Sequence, residues 1–356
     1  MRPIEKPVRA VLVGVGQRGK HWVRALQATS DAKTVAYVDV NEDNLAWAVQ
    51  ECGAAKEDLF RDLGQALDAR PADAVILVTP PMVRYEQCMQ VIERGLPILA
   101  EKPLAMDFPH TLAVTRRAAE RGVPLVAGFN FRHLNVTQAS KRLIESQELG
   151  TPGFARVHLY WHRTGDGPGG NRYPLVMENP MVLEQSVHAF DLLRYVYGTE
   201  PKSVFALTHN PSWSPYVGDA TATAIMEMEN GMFITYVGTW MMQSRVREYD
   251  WRTDCTQGAI FQRSMFGDLF TARAGSDELE AVALEPDLPF TDDTRKLLGH
   301  FLADLIAGVE PQPSGADNLK TMALTCACIE SAQTGQRVVM SDFYRRHGVA
   351  PKEMQG

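Results

Sequence analysis

A glycine-rich turn between a strand and a helix is the feature that most limits how this chain can fold. A buried strand starts at Val8, the turn Gly14-Val15-Gly16-Gln17-Arg18-Gly19 follows it, and the apolar pattern then becomes helical. The first glycine permits a tight turn, the second lets the backbone approach a pyrophosphate, and the third lets helix and strand pack closely. The turn predicts an α/β fold that binds a dinucleotide at the N-terminus of the helix.

An acidic residue stands where such sites recognise the ribose. A second apolar run begins at Thr34 and ends at Asp39. A carboxylate in this place accepts hydrogen bonds from the adenosine ribose and repels a 2′-phosphate, which favours NAD over NADP. The alternative is that Asp39 only begins the turn that follows the strand. Arg18 most simply flanks the pyrophosphate, although it can also hold a 2′-phosphate.

Strands and helices alternate through the first third of the chain. Buried apolar runs end at Val78, Ala100 and Ala127, and helical patterns separate them. Strands that are apolar along their whole length indicate a doubly wound parallel sheet covered on both faces. We therefore expect a dinucleotide-binding Rossmann domain over residues 1–128.

One tripeptide occurs twice, and the two copies fall at opposite ends of this sheet. Glu5-Lys6-Pro7 precedes the first strand, whereas Glu101-Lys102-Pro103 directly follows a strand. Ligands of open α/β sheets bind beyond the carboxyl ends of the strands. Only Lys102 is therefore expected to reach the nicotinamide, although a solvated loop lysine is the usual alternative.

Beyond residue 128 the alternation gives way to a strand-rich pattern. An α+β domain with a large open, mostly antiparallel sheet is expected over residues 129–356, for substrate binding and oligomerisation, as a homodimer or homotetramer through the sheet. Asn230-Gly231 predicts a type I′ hairpin. The cleft between the domains is the expected binding site. Strands are predicted near residues 154–163, 203–209, 220–229, 232–242, 246–254 and 258–272.

A narrow polar stripe is predicted on a mostly apolar helix from about Met181 to Tyr197. Four residues share this face at helical spacing: Glu184, His188, Asp191 and Tyr195. A solvated strip is the alternative. The preceding loop and Lys102 are polar segments that the stripe is expected to face. This favours an active-site role for His188 and Glu184. Asp191 is explained equally well as an anchor for a backbone group or an arginine.

Three further residues are candidates for substrate contacts. Arg132 can donate a planar fork to hydroxyls or a carboxylate, or form a salt bridge that joins the domains. His162 lies at the end of its predicted strand, next to a glycine-rich loop, Thr164 to Asn171. Tyr173, like Trp161, can stack on a sugar ring, although aromatic residues near such a loop are more often packed.

Composition excludes several other classes of protein. The chain has 36 basic and 43 acidic residues, a net charge of −7 and no dense Lys/Arg run, so nucleic acid is not an expected partner. No apolar run approaches the roughly 18 residues that span a bilayer, and the N-terminus lacks the apolar core of a signal peptide. A cytoplasmic protein without membrane contact is expected. The five cysteines are irregularly spaced and indicate neither disulfides nor a metal site.

The order of these motifs resembles that of the Gfo/Idh/MocA oxidoreductase family, along nearly the whole chain. The resemblance implies a nicotinamide-dependent oxidation or reduction of a sugar, polyol or related molecule. It also implies that Thr79, Pro80, Glu101 and Asn130 belong to the cofactor site. The matching motifs are the glycine turn, Thr79-Pro80-Pro81, Ala100-Glu101-Lys102-Pro103, Gly128-Phe129-Asn130-Phe131-Arg132, and Glu184 to Asp191.

The family resemblance also implies a catalytic group made of Lys102, His188 and Glu184. His188 would remove the proton of a secondary alcohol as the hydride leaves for the nicotinamide, and Lys102 would stabilise the alkoxide. The chain departs from the family where Glu184 replaces the usual Asp and Arg84 replaces a common His. Two alternatives share the fold: an NAD-dependent glycoside hydrolase and a non-catalytic, nucleotide-sensing regulator.

Overall fold

The computed structural model describes residues 2–165, 172–350 and 353, and the chain forms two compact units. The first unit contains the chain up to Asn130 together with Phe290–Leu319, and the second contains Phe131–Pro289 and Lys320–Glu353. This division differs from the predicted one, because a segment far along the sequence returns to the first unit. Residues 166–171 of the predicted glycine-rich loop lie outside the described residues.

The first unit is built on a parallel sheet, as predicted. In the described part of the chain it has six strands in the order β3-β2-β1-β4-β5-β6. The chain order reverses between β1 and β4, which is where sheets of this kind open a crevice for a ligand. The strands are β1 Val8–Val13, β2 Ala32–Val38, β3 Leu59–Phe60, β4 Ala74–Leu77, β5 Ile98–Ala100 and β6 Leu125–Ala127.

Helices pack against this sheet and explain why the late segment belongs here. Trp22 of α1 is fully buried, in one apolar cluster with Leu297 and Phe301 of α8. Burial of side chains of this size stabilises the packing by about 2 to 3 kcal/mol each, so α8 is part of the core of this unit. The helices are α1 Gln17–Gln27, α2 Glu42–Cys52, α3 Leu63–Ala69, α4 Pro81–Glu93, α5 Phe108–Arg121 and α8 Asp292–Ala307.

The second unit is built on a mostly antiparallel sheet, again as predicted. Among the described residues it has nine strands in the order β14-β13-β12-β11-β7-β10-β9-β8-β15. The β7 and β10 strands pair in parallel, and the other neighbours pair in antiparallel fashion. The strands are β7 Pro152–Tyr160, β8 Pro201–His209, β9 Thr221–Met228, β10 Phe233–Thr239, β11 Glu248–Cys255, β12 Gly258–Ser264, β13 Gly267–Arg273, β14 Glu280–Ala281 and β15 Val338–Val339.

Two local predictions in this sheet were wrong. The single strand expected over 258–272 is two strands, since the chain turns back between Ser264 and Gly267, which face each other across the pair. The Asn230-Gly231 hairpin forms, but only Gly231 has a positive φ, of 86°. A type I′ turn needs a positive φ at both positions, so this hairpin instead has the longer loop that ends in a left-handed glycine.

The helix with the polar stripe begins irregularly. Its first turn, Met181–Ser186, is a π-helix, and α7 follows over Val187–Tyr197. A π-turn contains an extra residue. The prediction assumed regular α-helical spacing, so the direction of Glu184 relative to the residues of α7 differs from the predicted one. No helix in the described ranges is both long and apolar enough to span a membrane. The remaining helices are α6 Asn135–Ser146, α9 Gly315–Thr334 and α10 Met340–Arg346.

Candidate functional site

The three glycines of the first turn have different structural roles. Gly14 has a φ of 91°, and a Cβ added there would lie 2.8 Å from the carbonyl of Val78. A Cβ on Gly19 would lie 2.1 Å from the carbonyl oxygen of Gly14. Close packing therefore requires both of these glycines. At Gly16 an added Cβ would meet only the Asn44 side chain, at 3.8 Å, so the backbone there leaves space for a ligand to approach.

The helix that follows the turn is prepared to receive an anion. Gly16 is the N-cap of α1, no side chain caps the helix, and its first turn contains no acidic residue. The first N–H groups of a helix lack partners within the helix, and the positive end of its dipole favours a phosphate. The pyrophosphate of a dinucleotide fits this position, with Gln17 exposed as the first helical residue.

Asp39 is bonded both to the glycine turn and to the turn that follows β2, and its recognition of the ribose stays a prediction. Its Oδ2 accepts hydrogen bonds from the Val15 N–H at 2.7 Å and from the Asn44 side chain at 3.0 Å. Its Oδ1 accepts one from the Asn41 N–H at 2.9 Å, so the carboxylate also begins the turn after β2. The structure thus ties Asp39 directly to the glycine turn.

Arg18 and Glu101 form an ion pair inside the first unit. Arg18 Nε donates to Glu101 Oε1 at 2.6 Å, and Trp22 Nε1 donates to the same oxygen at 2.8 Å. Burial alone would raise the pKa of the Glu101 carboxyl, but the Arg18 charge and the Trp22 bond outweigh it and hold the pKa below its usual range. Glu101 is therefore ionised at neutral pH. This pair fixes both side chains beside the glycine turn, and their predicted contact with the cofactor stays a prediction.

Asn130 has a partner that the sequence did not reveal. Its side-chain amide donates to the carboxylate of Asp293, which is fully buried at the start of α8. Burial raises the pKa of Asp293 despite the Arg18 charge and the Asn130 bond, both of which lower it. Asp293 was missed because it lies within residues 129–356, which were predicted to form the other domain.

Arg84 explains the departure from the family pattern after the Thr-Pro turn. It is only 3% exposed, and its guanidinium donates to the carbonyl oxygens of Thr79 and Pro103. Pro103 follows Lys102 directly, and Pro80 is the N-cap of α4. One buried cation therefore connects the turn after β4 to the loop that carries the candidate catalytic lysine.

In the second unit, two aromatic side chains contact His188 and Glu184 of the helix stripe. His188 stacks on Phe131 with ring centres 4.3 Å apart, and it is 8% exposed. Glu184 is equally buried, and its carboxylate accepts a hydrogen bond from the Tyr173 hydroxyl. The Tyr173 hydroxyl thereby fixes the carboxylate of Glu184, and stacking of the Tyr173 ring on a sugar stays a prediction.

Arg132 and Asp191 bind each other. Arg132 Nε and Nη2 donate to the two carboxylate oxygens of Asp191 at 2.7 and 2.5 Å, and Thr321 adds a third bond at 3.0 Å. Asp191 thus anchors an arginine, which was one of its two interpretations. The pair lies within the second unit and does not join the domains, as the alternative for Arg132 supposed. Two nitrogens of the Arg132 guanidinium are thus bonded to Asp191, and a contact of Arg132 with substrate stays a prediction.

This pair gives a stability prediction. Asp191→Asn should lower the free energy of unfolding by about 3 kcal/mol, because the Arg132 charge would remain buried without its counter-ion. Urea unfolding followed by fluorescence measures this loss. As a control, Asp342→Asn removes one partner of the exposed Arg345 pair at 2.9 Å and should cost less than about 1 kcal/mol. Equal losses in the two variants would contradict the assignment.

His162 is held by the backbone. Its Nδ1 donates to the carbonyl oxygen of Met242 at 2.6 Å, and His162 forms an isolated bridge with Met241. These contacts give His162 a role in joining two chain segments. Within residues 2–165 and 172–350, no group of three or more His, Cys, Asp or Glu side chains is arranged to hold a metal ion.

Comparison with known proteins accounts for both units. Residues 8–129 match the family described as "Oxidoreductase family, NAD-binding Rossmann fold" (GFO_IDH_MocA), and residues 137–261 match "GFO/IDH/MocA C-terminal domain". A D-apiose dehydrogenase of Paraburkholderia graminis is 27% identical over 351 residues, which cover 95% of this chain and 91% of the relative. An inositol 2-dehydrogenase of Mycolicibacterium gilvum is 30% identical over 212 residues, 57% of each chain.

A solved structure shares the fold across nearly the whole chain. It is a crystal structure of an oxidoreductase from Agrobacterium radiobacter in complex with NAD+, L-tartaric acid and magnesium. The TM-score is 0.86 at 22% identity, and the match covers 95% of this chain and 99% of the other. With both parts of its sequence matched to the two domains of one family, this chain belongs to the GFO/IDH/MocA family of NAD-binding oxidoreductases.

Proposed function

We propose that this oxidoreductase transfers a hydride between NAD and a secondary alcohol or ketone of a sugar, polyol or related molecule. The observation that carries the proposal is the position of Lys102. It follows β5, at the carboxyl edge of the sheet whose first strand leads into the glycine turn. Relatives named as dehydrogenases of D-apiose and inositol support this substrate class.

The side chains divide the proton chemistry between them. Bound NAD accepts or supplies the hydride. His188 accepts the hydroxyl proton in the oxidative direction, since a neutral imidazole nitrogen can act as a general base. The Lys102 ammonium stabilises the negative charge that develops on the oxygen. Glu184, fixed by Tyr173, positions the helix turn that precedes His188.

Two arginines act as positioning residues in this proposal. Arg18 fixes Glu101 on one side of Lys102, and Arg84 fixes the Pro103 carbonyl on the other. The neighbours of Lys102 on both sides are thereby fixed, one by a partly buried ion pair and one by a buried hydrogen bond. A catalytic cation must be placed within a few tenths of an ångström of its productive position, and these contacts supply that restraint.

The first unit is proposed to bind the nucleotide, and the second to bind substrate and to mediate oligomerisation. Large apolar side chains lie exposed on one face of its sheet: Phe154 at 42%, Ile225 at 50% and Phe233 at 49%. Phe154 and Phe233 are direct neighbours across β7 and β10. Contiguous exposed apolar area is typical of a protein interface, which supports a homodimer or homotetramer through this sheet.

Cofactor preference gives a second prediction. The enzyme should bind NADH more tightly than NADPH, and Asp39→Ala should reduce that preference by at least about tenfold, because a carboxylate beside a 2′-phosphate costs several kcal/mol. Fluorescence titration with both nucleotides measures the ratio. Asp43→Ala, in the exposed first turn of α2, is the matched control and should leave the ratio as it is. Tighter binding of NADPH by the unmodified enzyme would overturn the assignment.

The activity itself is tested with a panel of sugars, polyols and their keto forms. The absorbance of the reduced nicotinamide is followed with both cofactors. Net formation or consumption of NADH with a polyhydroxyl substrate is the expected result. Cleavage of a glycoside without net NADH formation would instead identify a hydrolase, and nucleotide binding with no turnover of any kind would identify a regulator.

A further inference from the structure

Arg163 lies just beyond β7 and rests on a buried tryptophan. Its guanidinium carbon is 4.2 Å from the centre of the Trp240 ring, and Trp240 is fully buried. Arg163 itself is partly exposed. Among the residues that the structure describes, no oxygen accepts a hydrogen bond from its guanidinium and no carboxylate pairs with it. The planar fork of this arginine is therefore fixed in place while its donors stay available.

The backbone of Arg163 is also held firmly. Its N–H donates to the Trp240 carbonyl at 2.9 Å, and its carbonyl accepts a hydrogen bond from the Tyr216 hydroxyl at 2.9 Å. The Tyr216 ring in turn packs against Trp240, with centres 5.4 Å apart. An arginine that is already ordered loses little conformational entropy when it binds a ligand.

Other arginines of the second unit show how unusual this arrangement is. Arg132 pairs with Asp191 and Arg194 pairs with Glu200 at 2.6 Å. Both have buried side chains with a carboxylate as counter-ion, which is the ordinary condition for a buried cation. Arg163 is stacked on Trp240 and partly buried. In the described part of the chain, however, no carboxylate serves as its counter-ion.

Arg163 is also connected to the candidate catalytic helix. Next to Tyr216, the N–H of Val217 donates to the carbonyl of Leu175 at 2.8 Å. Leu175 belongs to the short helix that begins at Tyr173, and the Tyr173 hydroxyl binds Glu184. The segment that fixes Arg163 is therefore hydrogen-bonded to the segment that fixes Glu184.

We propose that Arg163 determines substrate specificity by binding an oxyanion of the substrate, so that sugar acids are preferred to the corresponding neutral sugars. A planar guanidinium and a carboxylate form two parallel charge-assisted hydrogen bonds, which gives both strength and orientation. A phosphate group offers the same chemistry. The inference rests on the proposed function, since it names the substrate class of that reaction.

The test compares matched substrates in four forms of the enzyme. For one sugar or polyol, its carboxylic acid and its phosphate ester, kcat/KM is measured in the wild type, Arg163→Met, Arg163→Lys and Arg247→Met. Arg247 is the control because it also lies over a tryptophan, with its guanidinium carbon 5.1 Å from the Trp161 ring centre, but it is exposed. Methionine keeps an apolar cover over Trp240 and removes only the charged donors.

The wild type is expected to prefer the acid, and Arg163→Met should lower the ratio of acid to neutral kcat/KM by about 50-fold, the effect of losing hydrogen bonds to a charged group. Arg163→Lys should restore part of the ratio, and Arg247→Met should leave it as in the wild type. If the phosphate ester shows the preference and the loss, the oxyanion is a phosphate. A ratio that is the same in wild type and Arg163→Met overturns the proposal.

A binding measurement distinguishes failure of the proposed function from failure of the proposed anion site. If the wild type oxidises no member of the panel, calorimetric titration of the NADH-loaded enzyme with the acid and the phosphate ester replaces the kinetics. Binding of either anion that is lost in Arg163→Met would support the anion site without the reaction. Absent binding, or equal binding in wild type and variant, would overturn it.

Discussion

Replacing His188 by alanine is expected to lower turnover by roughly three orders of magnitude, which is the contribution of a positioned general base. Nucleotide affinity should be nearly unchanged, because the glycine turn and Asp39 belong to the other unit. Initial rates and NADH titration of the same preparation measure the two effects. The cavity left by the imidazole faces Phe131, so a circular dichroism spectrum like that of the wild type is a necessary check.

Glu184 should matter less than His188. Glu184→Gln keeps the shape of the side chain and an oxygen for Tyr173, but removes the negative charge one turn from His188, and should cost about tenfold in kcat. If Glu184 acts through its fixed position, Tyr173→Phe should cause a loss of similar size, since it removes the hydroxyl that holds the carboxylate. Full activity of His188→Ala would be the more serious result, because a nucleotide-sensing regulator would then become the better interpretation of this chain.

Lys102→Ala is the second change with a large expected effect. Loss of the ammonium group that stabilises a developing alkoxide should reduce kcat by about 100- to 1000-fold. NADH should still bind, because most of its proposed contacts are with the glycine turn and with Asp39, which Val15 N–H holds at 2.7 Å. Stopped-flow measurement of the hydride-transfer step, with NADH binding followed in parallel, separates the two quantities.

Lys6 provides a control of the same residue type in the same tripeptide. It lies before β1, pairs with Asp31 at 2.7 Å, and has a side chain that is 55% exposed. Lys6→Ala should therefore leave kcat within a factor of about two, as expected for an exposed ion pair of little energetic weight. Similar losses of activity in Lys6→Ala and Lys102→Ala would refute the argument from the carboxyl ends of the strands.

The sequence was sufficient where a pattern repeats locally. The parallel sheet, the mostly antiparallel sheet, the nucleotide turn and the family membership were all predicted and are confirmed. Each depends on short-range signals, such as apolar runs of strand length or glycines at fixed spacing. The preference for NAD over NADP and the roles of individual site residues remain predictions.

The sequence was insufficient where a residue finds its partner far along the chain. Arg18 pairs with Glu101, and Asn130 donates to Asp293, and neither partner follows from the local sequence patterns. Periodicity shows which face of an element is buried, but not which buried donor meets which acceptor. The π-turn at Met181–Ser186 was missed for the same reason. Its extra residue depends on tertiary contacts, which local helix propensity does not encode.

The return of Phe290–Leu319 to the first unit has a consequence for protein engineering. A fragment cut at residue 128 would lack α8, and the apolar side of Trp22 would lose Leu297 and Phe301 from its core. Such a fragment should be produced as aggregated rather than folded protein. A chimera that combines this nucleotide unit with the substrate unit of another dehydrogenase therefore needs junctions near Asn130, near Phe290 and within α9. These junctions keep α8 in the nucleotide unit.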